Sequence, residues 1–202
     1  MKYFIMSCSH RRESQSVKVA HYLSKELLSL GHHVDLHDCG AQPLPLWTPD
    51  QNGEHWETWR AIEQKLASTD SFILVTPEWH GMATPQAKNV FLLVGQRLAH
   101  KPGLLVSVSS GRGGAYPIVE LRQSSYKNSK IAWIPEHLII REVESVLNET
   151  HNDNGKATEF SNADQWIRDR ITYTLRHLEL YSEALSSIRD RLPHEARFSN
   201  GM

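Results

Sequence analysis

The sequence predicts an α/β fold in which a doubly wound parallel sheet is covered by helices on both faces. Five short apolar runs are separated by stretches of helical periodicity. The run over residues 71–75 is continuously apolar, which is typical of a strand that is covered on both faces. No internal repeat or low-complexity linker interrupts the alternation, so we expect a single domain over residues 1–202.

The chain begins with a strand, a helix and a second strand. The apolar run over 3–6 predicts a short buried strand. Helical spacing over 14–30 follows, and Gly31 provides the glycine with which helices commonly end. Residues 33–37 alternate between polar and apolar, which indicates an edge or half-buried strand. Prolines and glycines over 38–53 predict a loop.

The middle of the chain repeats the same order. A helical pattern around 55–67 precedes the clearest strand, 71–75, and Pro77 ends it. Apolar residues at helical spacing predict the next helix from about 84 to 98. The fourth strand follows over 104–108.

The last part of the chain supplies one more strand between two helices. Residues 115–126 have helical character, and the apolar residues over 138–140 form the centre of a fifth strand. A polar segment, 148–163, predicts a turn or an insertion. Gaps of three and four between apolar residues then predict a long amphipathic helix over about 164–192.

Composition and charge exclude several classes of protein. The net charge is −1, from 22 basic and 23 acidic residues, which argues against a nucleic-acid partner. No apolar stretch reaches the length that spans a membrane, and the N-terminal run is broken at Ser7, too early for a signal peptide. The two cysteines, Cys8 and Cys39, cannot form a disulfide framework in a chain of this length, so we expect a reduced, cytoplasmic protein.

Ligands of such sheets bind where the strands end at their carboxyl edge, and three loops there carry unusual residues. Loop 1 (residues 7–16) joins the first strand to a helix and is rich in hydroxyls and arginines. Hydroxyls and free N–H groups at a helix N-terminus form an anion site, and this one suits a terminal monophosphate. The alternative is ordinary capping of the helix by Ser14 or Ser16.

Loops 2 and 3 are less specific by themselves. Loop 2 (residues 76–85) holds Trp79 and His80 between two prolines, and this stiff aromatic pair fits either the border of a flat ring or a plain turn. Loop 3 (residues 109–114) contains three glycines, which let backbone N–H groups approach a ligand closely.

Together the three loops resemble the NADPH-dependent FMN reductase family of flavodoxin-like proteins. Residues 9–16 resemble the family's phosphate loop, with Cys8 in place of a glycine. Pro77-Glu78-Trp79-His80-Gly81 is similar to the family's Pro-Glu-Tyr-Asn-Gly. Lys88-Asn89, Gly113-Gly114 and Leu121-Arg122 match further family positions in the same order.

This resemblance implies a flavodoxin-like sheet in the strand order 2-1-3-4-5 and FMN as the cofactor. Loop 1 is expected to hold the phosphate, loop 2 to border the flavin ring and loop 3 to face its far edge. The residues implied at FMN are Ser9, Arg11, Ser14, Gln15, Ser16, Pro77, Glu78, Trp79, His80, Gly81, Ser109, Ser110, Gly111, Gly113 and Gly114. Family members commonly form homodimers or homotetramers.

The expected function is that of an NAD(P)H-dependent reductase. NADPH or NADH would pass a hydride to FMN N5, and the electrons would continue to a small oxidant such as a quinone, a flavin, an azo compound or a metal oxyanion. No catalytic side chain and no metal is expected. The alternatives are an FMN-binding electron carrier or redox sensor without NAD(P)H turnover, and a flavin-free interaction protein. The nearly neutral charge disfavours the carrier, since small carriers of this fold are usually strongly acidic.

Several other features have less specific interpretations. We expect Cys8 to be a small packed residue and the histidines over 32–37 to be solvated rather than metal-binding. Arg12 is interpreted as either a contact for the NADPH phosphate or a solvated surface charge. A group of tryptophans is expected at a subunit contact: Trp47, Trp56 and Trp59. Apolar residues on more than one face of the helix over 84–98 also predict an oligomer interface: Val90, Phe91, Leu93, Val94 and Leu98.

Overall fold

The structure, a computed structural model, describes residues 1–148, 160–189, 191–193 and 195–201. Five parallel strands form one sheet in the order β2-β1-β3-β4-β5, which confirms the predicted fold class and strand order. The strands are β1 (Lys2–Ser7), β2 (His33–Asp38), β3 (Ser71–Pro77), β4 (Pro102–Val108) and β5 (Ala132–Ile140).

Helices cover both faces of this sheet, as predicted. They are α1 (Gln15–Ser29), α2 (Glu57–Ser68), α3 (Pro85–Leu93), α4 (Ala115–Ser124) and α5 (Asn162–Arg189). Apolar side chains of α1 and α5 pack in one core with the sheet, and those of α2, α3 and α4 pack in a second core on the opposite face. Short 3-10 segments add single turns at Glu54–Trp56, Val143–Ser145 and Ala196–Phe198.

The alternation of side chains along each strand divides the apolar residues between the two cores. Tyr3 and Ile5 of β1 face α1 and α5, whereas Phe4 and Met6 face the other helices. Every residue of β4 is buried, because a central parallel strand is covered on both faces. Removing this apolar surface from water is the main force that holds the sheet and helices together.

One predicted helix boundary was wrong, and one strand extends beyond its predicted centre. The helix expected over 84–98 ends at Leu93, and Gly95 follows with φ +52°, a left-handed conformation that stops the helix. The fifth strand contains the predicted centre, 138–140, and begins earlier at Ala132, so it includes Pro135, a residue that an edge strand tolerates. Most of the polar segment 148–163, with its predicted turn, lies outside the described residues.

The structure corrects the expectation about the tryptophans. Trp56 and Trp59 are each 1% exposed and belong to the core beside α2, so they do not form a subunit contact. Trp47 remains 44% exposed. The two buried indoles fill the space between α2 and the sheet, and their helical spacing in the sequence does not distinguish a core from an interface.

The apolar residues around α3 also have a different role from the expected one. Four of the five are buried within the chain, on the sheet side of α3 and in the turn that follows it: Val90, Leu93, Val94 and Leu98. Phe91 is half-buried and packs edge-on against Trp133, with ring centroids 5.8 Å apart. The packing of a single chain therefore accounts for most of the apolar surface from which an interface was predicted.

Two further findings concern sites within the described part of the chain. Its histidine, cysteine and acidic side chains nowhere form a group of three that could hold a metal ion. Its helices are all too short or too polar to cross a membrane.

His37 is buried rather than solvated, unlike His33 on the same edge strand.

Candidate functional site

Loops 1, 2 and 3 meet at the carboxyl edge of the sheet, because they follow the adjacent strands β1, β3 and β4. The Thr84 hydroxyl of loop 2 donates a 2.6 Å hydrogen bond to the backbone oxygen of Cys8 in loop 1. The Gly114 N–H of loop 3 donates to the Glu78 carboxylate of loop 2 over 2.7 Å. These contacts join the three predicted loops into one site.

Loop 1 leaves several hydrogen-bond donors at the N-terminus of α1. The Ser14 hydroxyl oxygen caps this helix by accepting from the Val17 N–H at 3.1 Å. Among the described residues, no acceptor pairs with the N–H groups of Gln15 and Ser16, and the Ser16 hydroxyl makes no hydrogen bond. The Ser9 hydroxyl accepts from the Arg11 N–H at 3.2 Å, which leaves its own proton free to be donated.

The capping interpretation of loop 1 is confirmed by the Ser14 hydrogen bond, and the donors that remain are those that the anion-site interpretation requires. A helix N-terminus with two unpaired N–H groups and hydroxyl donors beside it attracts an anion with several acceptor oxygens. The cap uses the lone pairs of Ser14 and leaves its proton available. A phosphate monoester fits this donor set, because its oxygens accept hydrogen bonds and it carries the negative charge that the helix end favours.

The conformation of loop 1 depends on Gly40, which follows β2. A Cβ atom at this position would lie 2.2 Å from the backbone oxygen of Arg11. Only glycine permits this close approach of the two backbones. The segment after β2 thus supports loop 1 from the side, a role that the sequence did not reveal.

The side chains at the tip of loop 1 contact loop 2. The Arg11 guanidinium lies over the Trp79 ring, 5.4 Å from its centroid, and the His10 ring is 5.7 Å from the same ring. Trp79 is only partly buried, so it belongs to the surface of the site and not to the core. Arg12 is exposed, and it is the Arg11 guanidinium that lies over the Trp79 ring.

Loop 2 is a tight hairpin turn. The backbones of Trp79 and Met82 exchange hydrogen bonds of 3.1 and 2.9 Å, and the two residues between them have positive φ angles of 50° at His80 and 72° at Gly81. Two positive φ angles are typical of a type I′ turn, which glycine favours at its second position. The turn therefore holds Trp79 and His80 in a fixed orientation at the edge of the site.

Glu78 connects loop 2 to loop 3. One carboxylate oxygen accepts from the Gly114 N–H at 2.7 Å and from the Tyr116 N–H at 3.3 Å, at the start of α4. A carboxylate is favoured there by the positive end of the helix dipole. Glu78 is thus engaged with protein N–H groups, and these two N–H groups are not free to meet a ligand.

The remaining N–H groups of loop 3 are the ones that can meet a ligand. No described residue accepts from the N–H groups of Ser110, Arg112 or Gly113. The N–H of Gly111 donates a hydrogen bond to the Ser109 hydroxyl oxygen at 3.2 Å. The Arg141 guanidinium donates to the Gly113 backbone oxygen at 3.0 Å. Loop 3 is therefore fixed at both ends, with unpaired donors between them.

Sequence reasoning did not reveal how the site is supported, although Lys88 and Asn89 matched family positions. Thr84 caps α3 and precedes Pro85 at its first position, a pairing that is common at helix starts and that could have been found. Asn89 holds the segment after β2, since its side chain donates to the Pro45 oxygen at 2.8 Å and accepts from the Trp47 N–H at 2.9 Å.

A second support crosses from α3 to α4. Lys88 forms a 2.5 Å ion pair with Glu120, whose other oxygen accepts from the Ala83 N–H at 2.7 Å. Burial by itself would raise the pKa of Glu120, but the hydrogen bonds from Lys88 and Ala83 outweigh it and lower that pKa. The pair fixes the end of loop 2 against α4.

The family model described as NADPH-dependent FMN reductase matches residues 1–144. A 2-hydroxy-1,4-benzoquinone reductase from a Burkholderia species is 30% identical over 119 residues, a match that covers 56% of this chain and 63% of that relative.

Two solved structures show the same fold. The flavoenzyme NAD(P)H:(acceptor) oxidoreductase FerB from Paracoccus denitrificans has a TM-score of 0.67 at 16% identity, over 92% of this chain and 97% of its own. The apo form of the NADH:FMN oxidoreductase EMOB has a TM-score of 0.65 at 14% identity, over 98% of this chain and 94% of its own.

These findings agree with the loops, the strand order and the donor set described above. The family match is the one expected from the sequence, and the chain spans 63% of the length of the curated relative. The family match covers β1 to β5 and all three loops, which are the parts that form the site. The chain belongs to the NADPH-dependent FMN reductase family.

Proposed function

We propose that this protein takes a hydride from NADPH or NADH onto bound FMN and passes the electrons to a small oxidant, with a quinone as the first candidate. The observation that carries this proposal is the set of unpaired donors in loop 1, placed beside the aromatic turn of loop 2. The quinone is suggested by the 2-hydroxy-1,4-benzoquinone reductase that is similar over 119 residues.

In this proposal, loop 1 binds the FMN phosphate. Its ligands are the N–H groups of Gln15 and Ser16, the hydroxyls of Ser9, Ser14 and Ser16, and the Arg11 guanidinium. Arg11 can turn from the Trp79 face toward an anion, because its side chain is exposed. The oxygens of a phosphate monoester match these donors better than the single hydroxyl of riboflavin does.

Loops 2 and 3 then border the flavin ring. Bound flavin would supply the hydride acceptor, and its reduction would create negative charge on the ring. The unpaired N–H groups of Ser110, Arg112 and Gly113 donate toward that charge, while Glu78 holds loop 3 in place. Trp79 and His80 limit access to the ring and thereby select a flat oxidant.

Anaerobic reduction of the FMN-loaded protein tests this function. We expect NADPH or NADH to bleach the flavin absorbance within the dead time of manual mixing, and a benzoquinone to restore it. Azo compounds and metal oxyanions are compared as oxidants in the same assay. Bound FMN that neither nicotinamide reduces would instead support the electron carrier or redox sensor.

The two arginines of loop 1 separate phosphate binding from general surface charge. We expect Arg11→Ala to weaken FMN binding about ten- to a hundredfold, since the loss of one hydrogen bond to a charged group costs about 1.5–3 kcal/mol. Arg12→Ala is the matched control and should change the affinity far less. Flavin fluorescence titration measures both, and equal losses would show that the phosphate lies elsewhere.

We also propose that two chains associate through an apolar surface beside the site. This surface, the α3–α4 face, comprises Met82, Leu92, Tyr116 and Val119, which are 48%, 61%, 67% and 62% exposed. Phe91 and Leu92 line a groove of about 360 Å³ between the two helices. A two-fold axis buries such a surface against its own copy.

Light scattering coupled to size exclusion tests this assembly. The wild type should elute with the mass of two or four chains at micromolar concentration, and Leu92→Asp should halve that mass. Leu180→Asp, on the exposed side of α5, is the control and should leave the mass unchanged. A wild-type mass of one chain would contradict the proposed interface.

A further inference from the structure

The two cysteines of the chain lie side by side at the carboxyl ends of β1 and β2. The strands are in register, with Ser7 opposite Asp38, and each cysteine is the next residue along its strand. The Cys39 N–H donates to the Ser7 oxygen at 2.9 Å, which extends the ladder to this point. Cys8 therefore stands opposite Cys39.

Both thiols point to the same side of the sheet. Cys8 and Cys39 are completely buried members of the core that contains α2, α3 and α4. Neighbouring strands lie about 4.8 Å apart, which falls within the range of about 4.4–6.8 Å between the Cα atoms of disulfide-bonded cysteines. The spacing of the two strands is therefore compatible with a disulfide between Cys8 and Cys39.

His37 supplies a third group on the same side of β2, two residues before Cys39. Its side chain is 8% exposed, and its Nε2 atom has no hydrogen-bond partner among the described residues. Hydrogen bonding from Cys8 is the main cause that lowers the pKa of Cys39 to about 6 against the opposing effect of burial, and His37 contributes further. Burial raises the pKa of Cys8 well above its ordinary value.

We propose that Cys8 and Cys39 are a redox-active dithiol that a small hydroperoxide converts into an intrachain disulfide. Cys39 is the attacking sulfur and His37 accepts its proton. The thiolate breaks the O–O bond of the hydroperoxide, forming a sulfenic acid, while the other oxygen leaves as an alcohol or water. The Cys8 sulfur then displaces the sulfenic oxygen as water, so two thiols lose two electrons and the hydroperoxide gains them.

The position of the pair explains how a buried thiol can react. Cys39 directly follows the edge strand β2, whose residues are mostly only partly buried, and lies at the start of a loop. Local opening costs less at such an edge than in the centre of the sheet. The site admits a small hydroperoxide in this way and excludes larger oxidants. The structure holds both cysteines as free thiols, which is the reduced state of the pair.

Intact-mass spectrometry of the whole protein tests the proposal, with or without flavin. After treatment with hydrogen peroxide, denaturation and alkylation with N-ethylmaleimide, we expect a chain about 2 Da lighter than the reduced one, with neither cysteine alkylated. Dithiothreitol should restore both sites. The chain has two cysteines, Cys8 and Cys39. A single chain of that mass with no alkylated cysteine must therefore contain a disulfide between them.

Cys8→Ser and Cys39→Ser are the matched controls, with thermal unfolding to verify that each is folded. In Cys8→Ser, we expect the oxidised Cys39 to accumulate as a sulfenic acid that dimedone traps. Cys39→Ser should keep an alkylatable Cys8 at the same peroxide dose. The proposal would be overturned if the wild-type protein retained two alkylatable thiols. It would also be overturned if the wild-type protein oxidised only to sulfinic acid or to linked chains. These outcomes do not depend on reductase activity.

Discussion

Riboflavin is expected to bind at least a hundredfold more weakly than FMN. Loop 1 offers two unpaired N–H groups, several hydroxyls and Arg11 to a phosphate, and riboflavin leaves them without a charged partner. Each hydrogen bond to a charged group contributes about 1.5–3 kcal/mol, and about 1.4 kcal/mol corresponds to a tenfold change in affinity. The loss of two such bonds already gives a factor of about a hundred or more.

Titration of the apoprotein with each flavin measures this difference. FAD is included, because its FMN phosphate is joined to AMP through a pyrophosphate bond. That phosphate has fewer free oxygens and carries a bulky extension, so FAD should also bind more weakly than FMN. The affinity for FMN should fall toward that for riboflavin in Arg11→Ala. Equal affinities of the wild type for FMN and riboflavin would contradict the phosphate site in loop 1.

Gly40→Ala should both destabilise the apoprotein and weaken FMN binding. The added methyl group would lie 2.2 Å from the backbone oxygen of Arg11, so the backbone of loop 1 or of the segment after β2 must move. Overpacking of this kind costs about 1–3 kcal/mol, and each kcal/mol lowers the Tm of a chain of this size by about 2–4 °C. Because loop 1 is displaced, the variant should bind FMN at least about tenfold more weakly. This is the change expected from the loss of one hydrogen bond to a charged group.

The matched control for stability is Gly111→Ala. A Cβ atom at Gly111 would meet no atom within 4 Å, so the Tm of the apoprotein should stay close to that of the wild type. Thermal unfolding of both apoproteins and fluorescence titration of Gly40→Ala test the prediction. A Gly40→Ala protein with the wild-type Tm and FMN affinity would show that loop 1 does not depend on this backbone contact.

Much of the fold follows from local patterns in the sequence. Each buried strand is a short apolar run, and each helix has apolar residues at helical spacing, so four strands and most helices were placed within a few residues. The edge strand β5 was underestimated, because Pro135 and the polar residues beside it are ordinary loop residues until an edge position makes them acceptable. The end of α3 was missed for a related reason, since Leu98 continues the apolar pattern beyond the glycine that stops the helix.

The sequence also located the candidate site, since each of its loops follows a strand and carries polar residues of unusual types. It did not distinguish the roles of those residues. Glu78 was expected at the flavin ring, yet its carboxylate is held by the N–H groups of Gly114 and Tyr116. Gly114 lies 36 residues from Glu78 in the chain, and the two residues meet only because β3 and β4 are adjacent in the sheet.

The sequence by itself determined the fold class, the order of the elements and, through its motifs, the family of flavin-dependent reductases. These properties depend on residues that are close together in the chain. Only the tertiary structure decided which tryptophans fill the core, that Gly40 supports loop 1 and that Cys8 meets Cys39. Each of these contacts joins segments far apart in the chain, and it forms because parallel strands place their carboxyl ends side by side.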